Sequence, residues 1–217
     1  MDHFEDRADA GRYLVKQLQK YAHKENTLVL GLPRGGIIVA SEIARELGLP
    51  MDVFLVRKLG VPGYEELAMG AIASGGVRVI NQDVVRNMGI TQAEIQRAAV
   101  REETELKRRE MMYRNNRPLS KIKDQTVILV DDGLATGATM SAAVAALRKQ
   151  KPFKIVVAVP VASKDSCYEL RMQADEIICG LTPPYFDAVG AWYEDFRQTS
   201  DAEVISLLEQ ADIMQGR

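Results

Sequence analysis

The run Val127-Ile128-Leu129-Val130-Asp131-Asp132-Gly133-Leu134-Ala135-Thr136-Gly137-Ala138-Thr139-Met140 decides how the rest of the chain is read. Its four leading apolar residues are mostly β-branched. They predict a strand buried on both faces, as in parallel sheets. Two adjacent carboxylates stand where that strand ends. A Gly/Thr loop follows, and then an Ala-rich helix over Ser141 to Lys149. Each part suits one task. A helix N-terminus offers free backbone N–H groups to a phosphate, and Gly137 lets the backbone come close to it. The hydroxyls of Thr136 and Thr139 can donate to the same oxygens. Asp131 and Asp132 repel a bare phosphate. They suit ligand hydroxyls, or a metal that bridges to the ligand. A phosphate beside a pair of hydroxyls describes a sugar phosphate.

Two competing loops are excluded by spacing. A nucleoside triphosphate loop of the Gly-x4-Gly-Lys-[Ser/Thr] type needs a Lys, and none follows Gly137. A dinucleotide fingerprint needs Gly-x-Gly-x-x-Gly, which is absent. The bland alternative is an ordinary strand–turn–helix with surface Asp residues.

Upstream, Thr27 to Leu32 reads as an apolar strand, Pro33-Arg34-Gly35-Gly36 as a turn, and Ile37 to Leu47 as a helix. This is a second strand, glycine turn and helix start, now with a cation in the turn. Alone it would be read as a tight connection with an exposed Arg. In open parallel sheets, ligands lie beyond the carboxyl ends of the strands, and both loops qualify.

With Val-Asp-Asp-x-x-Ala-Thr-Gly-x-Thr and Arg-Gly-Gly in place, the chain resembles the type I phosphoribosyltransferases, which bind phosphoribosyl pyrophosphate (PRPP). The resemblance implies an α/β fold, a parallel sheet flanked by helices, with a small C-terminal hood. One domain would fill residues 1–217, with a core of about 25–180 and a hood of about 181–199 plus terminal helices. It assigns the ribose hydroxyls to Asp131 and Asp132. The 5′-phosphate goes to Ala135, Thr136, Gly137, Ala138 and Thr139, and the diphosphate to Arg34, Gly35, Gly36 and Lys58. Catalysis would rest on Asp131, Asp132, Arg34 and Lys58. Mg²⁺ would sit mainly on PRPP oxygens, with no protein metal ligand assigned. Hypoxanthine-type relatives carry an Asp where this chain has Ala135, so a proton acceptor would come from elsewhere or be unnecessary.

The remaining chain is read in order. Residues 6–22 form an amphipathic helix with Ala10, Leu14, Leu18 and Tyr21 on one face. His3 and His23 are surface residues. Met51 to Val56 is a strand ended by Arg57-Lys58, and Leu59 to Glu66 is a mobile loop. In relatives that loop closes over the site, excluding water. Glu65 or Glu66 is either a proton acceptor or a solvated loop carboxylate. Ala68–Ala73 and Val77–Ile80 make a hairpin around Ser74-Gly75-Gly76. Thr91-Gln92-Ala93-Glu94 is a capping box opening a charged surface helix to about Tyr113. That helix packs on the domain or on a second subunit. Lys154–Val161, a helix over 164–173, and Ala174–Cys179 extend the alternation of strand and helix. Pro183-Pro184 then stops regular structure, and Tyr185, Phe186, Trp192, Tyr193 and Phe196 crowd together. By resemblance the hood stacks on a nucleobase, with Phe186 or Trp192 as platform and Asp187 as a polar reader. Ser200-Asp201-Ala202-Glu203 caps a last helix whose buried face is Val204, Leu207, Leu208 and Ala211.

Composition narrows the partners. Net charge is −2 and pI about 5.8, so no basic surface argues for nucleic acid. No apolar run approaches the ~20 residues that cross a membrane, and the first residues lack an apolar signal core. Cys167, in a helix, and Cys179, at a strand end, read as buried free thiols. Together these features predict a cytoplasmic protein. The expected activity is transfer of phosphoribosyl from PRPP to a small-molecule acceptor, a purine or pyrimidine base, releasing pyrophosphate, by a homodimer as relatives often are. The alternative is a PRPP- or nucleotide-binding regulator without transferase activity. Arg34 and Lys58, which would serve the leaving group, favour the enzyme.

Overall fold

In the computed structural model, which describes residues 3–115 and 117–214, a five-stranded sheet forms the core, every neighbouring pair parallel. Its strands are β1 (Thr27–Gly31), β2 (Met51–Val53), β6 (Thr126–Val130), β7 (Lys154–Val161) and β8 (Glu176–Leu181), in the order β2-β1-β6-β7-β8. A second, antiparallel sheet holds β3 (Val56–Val61), β4 (Tyr64–Ala73) and β5 (Val77–Ile80). The helices are α1 (Arg7–Leu18), α2 (Gly35–Leu47), α3 (Gln82–Asn87), α4 (Gln92–Arg114), α5 (Ala138–Lys149), α6 (Lys164–Leu170) and α7 (Asp201–Met214).

Alternation along the strands builds the two faces. Val29, Ile128, Val130, Val156 and Ala158 pack with Leu14, Ile37 and Ile43 of α1 and α2. Leu28, Leu30, Val127, Leu129 and Val157 pack with Met140, Val144 and Leu147 of α5. Both faces are covered, as a parallel sheet requires. Val127 to Val130 are fully buried, each worth about 1.5–3 kcal/mol over exposure.

The strand order also selects the place for a ligand. From β1 the chain crosses outward to β2, and from β6 it crosses the other way to β7. Strands β1 and β6 are neighbours, registered Thr27 to Thr126 through Gly31 to Val130. Their following loops therefore leave in opposite directions, at the place where ligands lie in open parallel sheets.

Several local expectations hold. Ala10, Leu14, Leu18 and Tyr21 are all buried beneath the first helix. Thr91 and Glu94 exchange hydrogen bonds in a capping box at α4. Ser200 and Glu203 do the same at α7, where Val204 and Leu208 are buried. His3 and His23 are both exposed.

Others need correction. The expected strand Met51–Val56 is two strands. β2 ends at Val53 and Val56 begins β3 in the other sheet. Side chains take over the backbone bonding at this break. Ser74 Oγ accepts from the Leu55 amide at 3.0 Å, and Arg114 donates to the Val53 carbonyl. The expected mobile loop Leu59–Glu66 is largely strand. β3 and β4 pair across it with a bulge at Gly60 and a tight turn at Pro62–Gly63. Turn residues mark the bend but do not limit how far the flanking strands run. The thiols are also not free. α6 folds back over β8, bringing the two Cα atoms within 6.7 Å, and Cys167 and Cys179 form a disulfide. That removes the free thiols from the reasons for a cytoplasmic setting. Among the described residues, no helix is long and apolar enough to cross a membrane.

α4 is less peripheral than its charge suggests. Arg114, at its last turn, is 3% exposed and donates to Asp52 Oδ1 at 3.0 Å and Glu110 Oε1 at 3.0 Å. Asp52 Oδ2 accepts from the Ser120 amide at 2.9 Å. A buried charge persists only when its hydrogen bonds are met, and here they join α4, β2 and the segment leading to β6.

Candidate active site

The two predicted loops meet where β1 and β6 end. Leu32 donates its amide to the Val130 carbonyl at 2.9 Å, which carries the pairing one step past β1. The chain then turns through Pro33 and Arg34 into α2, and the Pro33–Arg34 peptide is cis. Gly35 and Gly36 lie directly against the acidic pair. A Cβ on Gly36 would stand 2.8 Å from the Asp131 Cα and 2.9 Å from its Oδ1. A Cβ on Gly35 would run into Asp132 Oδ2. Both glycines are thus needed for close approach of the loops.

The carboxylates are held from several sides. Asp131 Oδ1 accepts from the Asp132 amide at 2.9 Å. Asp132 Oδ2 accepts from Arg7 Nε at 2.7 Å, and the Tyr193 hydroxyl donates to the Asp132 carbonyl at 2.6 Å. Burial, and then the neighbouring Asp132 charge, push the Asp131 carboxyl well above the usual carboxylate range. Burial chiefly, with the Asp132 charge next, also raises the Tyr193 phenol, so it stays a donor.

The loop of residues 135–139 is built differently. Ala135, Thr136, Ala138 and Thr139 are exposed, while Gly137 and Met140 are buried. Gly137 caps α5 in the left-handed region (φ 69°) without a side chain, so the first-turn N–H groups face outward for an anion. Thr136 Oγ1 lies 3.5 Å from the Ala138 amide. Behind the loop, Ser163 and Ser166 at the start of α6 both donate to the Ala135 carbonyl, at 3.1 and 2.6 Å. Leu134 bridges to Ala162, fixing the loop to the end of β7.

Arg34 is half-buried and pairs loosely with Asp201, 4.0 Å away at the start of α7. Tyr113 donates to the same Asp201 oxygen at 2.5 Å, and its phenol is pushed up to about 12, by burial first and that bond second.

Known proteins place this arrangement. The profile of the family described as "Phosphoribosyl transferase domain" matches residues 2–186. The chain belongs to that family. Two curated Mycobacterium tuberculosis proteins, provisionally named phosphoribosyl transferases, are 45% identical over 208 residues, or 96% of this chain. The chain spans about half (47%) of those relatives' length. The crystal structure of TT1426 from Thermus thermophilus is similar, with 42% identity and a TM-score of 0.87. It covers 96% of this chain and 98% of its own. The fold expected of a type I phosphoribosyltransferase is therefore the fold observed.

Within this family member, the remaining predicted residues scatter. Lys58 is exposed on β3, in the β3–β4 hairpin, and donates to the Glu66 carbonyl at 3.1 Å and Oε2 at 3.3 Å. Glu65 Oε1 accepts from the Gly63 amide at 3.2 Å. Phe186 and Trp192 are partly buried against a small cluster of Phe4, Ala10, Val161 and Tyr193. Trp192 stacks on His3 with ring centroids 5.3 Å apart. Asp187 is exposed. Val189 connects this segment to the site, since a Cβ on Gly133 would meet its Cγ1 at 2.5 Å. Two clefts, of about 400 and 340 Å³, run along α2 and α7, and neither is lined by the phosphate loop. An open loop that binds an anion through its backbone needs no deep cavity.

Arg7, Tyr193, Ser163 and Ser166 went unrecognised in the sequence. Only Ser163, a visible helix cap, carried any local signal.

Proposed function

We propose that the chain transfers the 5-phosphoribosyl group of PRPP to an acceptor, a nucleobase, with release of pyrophosphate. The carrying observation is the contact of Gly35 and Gly36 with Asp132 and Asp131. It supports this reading because the Arg34 turn, the acidic pair and the 135–139 loop then follow the order of the groups along PRPP. In this reading Asp131 and Asp132 hold the ribose hydroxyls, and residues 135–139 hold the 5′-phosphate. Arg34, Gly35, Gly36 and Lys58 take the diphosphate. Residues 1–217 act as one transferase unit, with a hood at 181–199.

The chemistry asked of the protein is positional and electrostatic. The transition state resembles an oxocarbenium ion at the ribose C1, and negative charge grows on the departing diphosphate. Arg34 is half-buried and only loosely paired, so it can swing onto that charge. Fixing the ribose through two carboxylates removes rotational freedom before the bond breaks. Among the described residues no cluster of three or more acids, His or Cys is placed to hold a metal. The hard oxygens of Asp131 and Asp132 suit Mg²⁺ carried in on PRPP, which would offset diphosphate charge. Phe186 and Trp192 are proposed as the base platform. His3 takes one ring face of Trp192, so a base would stack there only on the other.

The test is pyrophosphate release from PRPP and Mg²⁺ across a panel of purine and pyrimidine bases, with the double Asp131→Asn/Asp132→Asn variant as control. Release that depends on one base is expected. Binding of PRPP without release on any base would move the assignment to a regulator, and loss of both would reject the site.

A further inference from the structure

Arg7 opens α1, outside every stretch that the motifs single out. It is 7% exposed. A guanidinium so buried must find anionic or carbonyl partners, because an unpaired charge is costly to remove from water. Nε donates to Asp132 Oδ2 at 2.7 Å, and Nη1 donates to the Arg197 carbonyl at 2.9 Å. The plane lies over Phe196, with Cζ 3.9 Å from the ring centroid. A Cβ on Gly35 would stand 2.7 Å from Arg7 Nε and run into the same Asp132 oxygen. The first helix, the aromatic C-terminal segment and both ligand loops thus converge on one carboxylate.

We propose that Arg7 is a positioning residue for PRPP: it anchors Asp132 through Oδ2, fixes the carboxylate's rotamer, and so presents the other oxygen to the ribose. This rests on the reading of Asp131 and Asp132 as the ribose-binding pair. Chemistry explains the choice of residue. Two directed donors and a flat face for Phe196 come only from a guanidinium, and a lysine ammonium supplies charge without that geometry. The arrangement also ties ribose binding to the tail, since displacement of Phe196 or Arg197 removes two of the supports of Arg7. Asp131 on its own loop, Arg7 from the N-terminal segment and the Tyr193 hydroxyl are the titratable and charged groups that meet Asp132, and Asp6 acts on Tyr193.

A double-mutant cycle on the full chain tests this, reading PRPP–Mg²⁺ binding by calorimetry. The variants are Arg7→Gln, Asp132→Asn and the pair together. Loss of one charge-assisted bond should weaken PRPP binding about tenfold to a hundredfold in Arg7→Gln. In the Asp132→Asn background the same change should cost nothing more. Arg7→Lys should recover only part of the affinity, and it carries the cycle if Arg7→Gln does not fold. Equal losses in both backgrounds would make Arg7 merely structural and overturn the proposal, as would unchanged binding in Arg7→Gln. If the wild-type chain does not bind PRPP, or Asp132→Asn binds as wild type, the ribose reading itself falls and takes the inference with it.

Discussion

The carboxylate corner and the 135–139 loop stand a few residues apart, yet they are built on opposite principles. Asp131 and Asp132 are packed against Gly35, Gly36, Arg7 and Tyr193 and are only partly exposed. Thr136, Ala138 and Thr139 point into solvent and make few contacts. The difference follows from what each must offer. Two adjacent carboxylates repel each other and misplace easily, so they need outside partners to hold one geometry. Backbone N–H groups at a helix start are already aligned by the helix, and their only need is to be left uncovered.

The comparison breaks most sharply under the double Asp131→Asn/Asp132→Asn change. It should lower PRPP-dependent pyrophosphate release at least about a hundredfold while the protein stays folded, since two charge-assisted contacts are lost. Steady-state kinetics with a melting curve checks it, and unchanged kinetics would reject the ribose role. Arg34→Ala should come next. It should weaken binding of the diphosphate-bearing ligand about tenfold while sparing ribose 5-phosphate, because the lost cation faces only the leaving group. Parallel calorimetry on PRPP and ribose 5-phosphate would detect equal losses, which would count against that assignment. On the phosphate-loop side, Thr136→Val should cost about fivefold in affinity for both ligands, the worth of one neutral hydrogen bond. Its melting temperature should not move, because the side chain is exposed.

The smallest effect concerns stability. The Asp131 carboxyl is raised in the folded state, so its contribution is most favourable below its unfolded value and declines as pH rises towards its folded one. Asp131→Asn removes that decline. The variant should therefore melt a few degrees higher than wild type at pH 8, with a smaller gap at pH 5. Thermal denaturation at both pH values measures this, and a gap that shrinks as pH rises would show that Asp131 is not destabilised by burial.

What was legible in the sequence was local. The strand–acid–loop–helix run, the Arg34 turn, the capping boxes at Thr91 and Ser200, and the buried face of the first helix all lie within one or two turns of chain. Short-range geometry suffices to place such residues. The β3–β4 pairing was missed and Leu59–Glu66 was read as a mobile loop, because Gly60, Pro62 and Gly63 signal a bend and say nothing of the pairing on either side. Cys167 and Cys179 were read apart because their meeting depends on how α6 lies over β8.

The amino-acid sequence by itself determined the parallel α/β core, the two glycine turns at strand ends and the acids beside them. Hydrophobic periodicity, glycine placement and helix-end chemistry act over neighbouring residues. Only the tertiary structure decided that β1 and β6 are adjacent, so that their two following loops meet at one end of the sheet. It alone set Arg7, 125 positions from Asp132, against that carboxylate, and brought Tyr193 and Val189 over the loop from the other end. The Arg7 contact satisfies buried charge, and the Tyr193 bond fixes the backbone beside it. A buried carboxylate needs a partner, but nothing in its own neighbourhood of sequence says from where the partner must come.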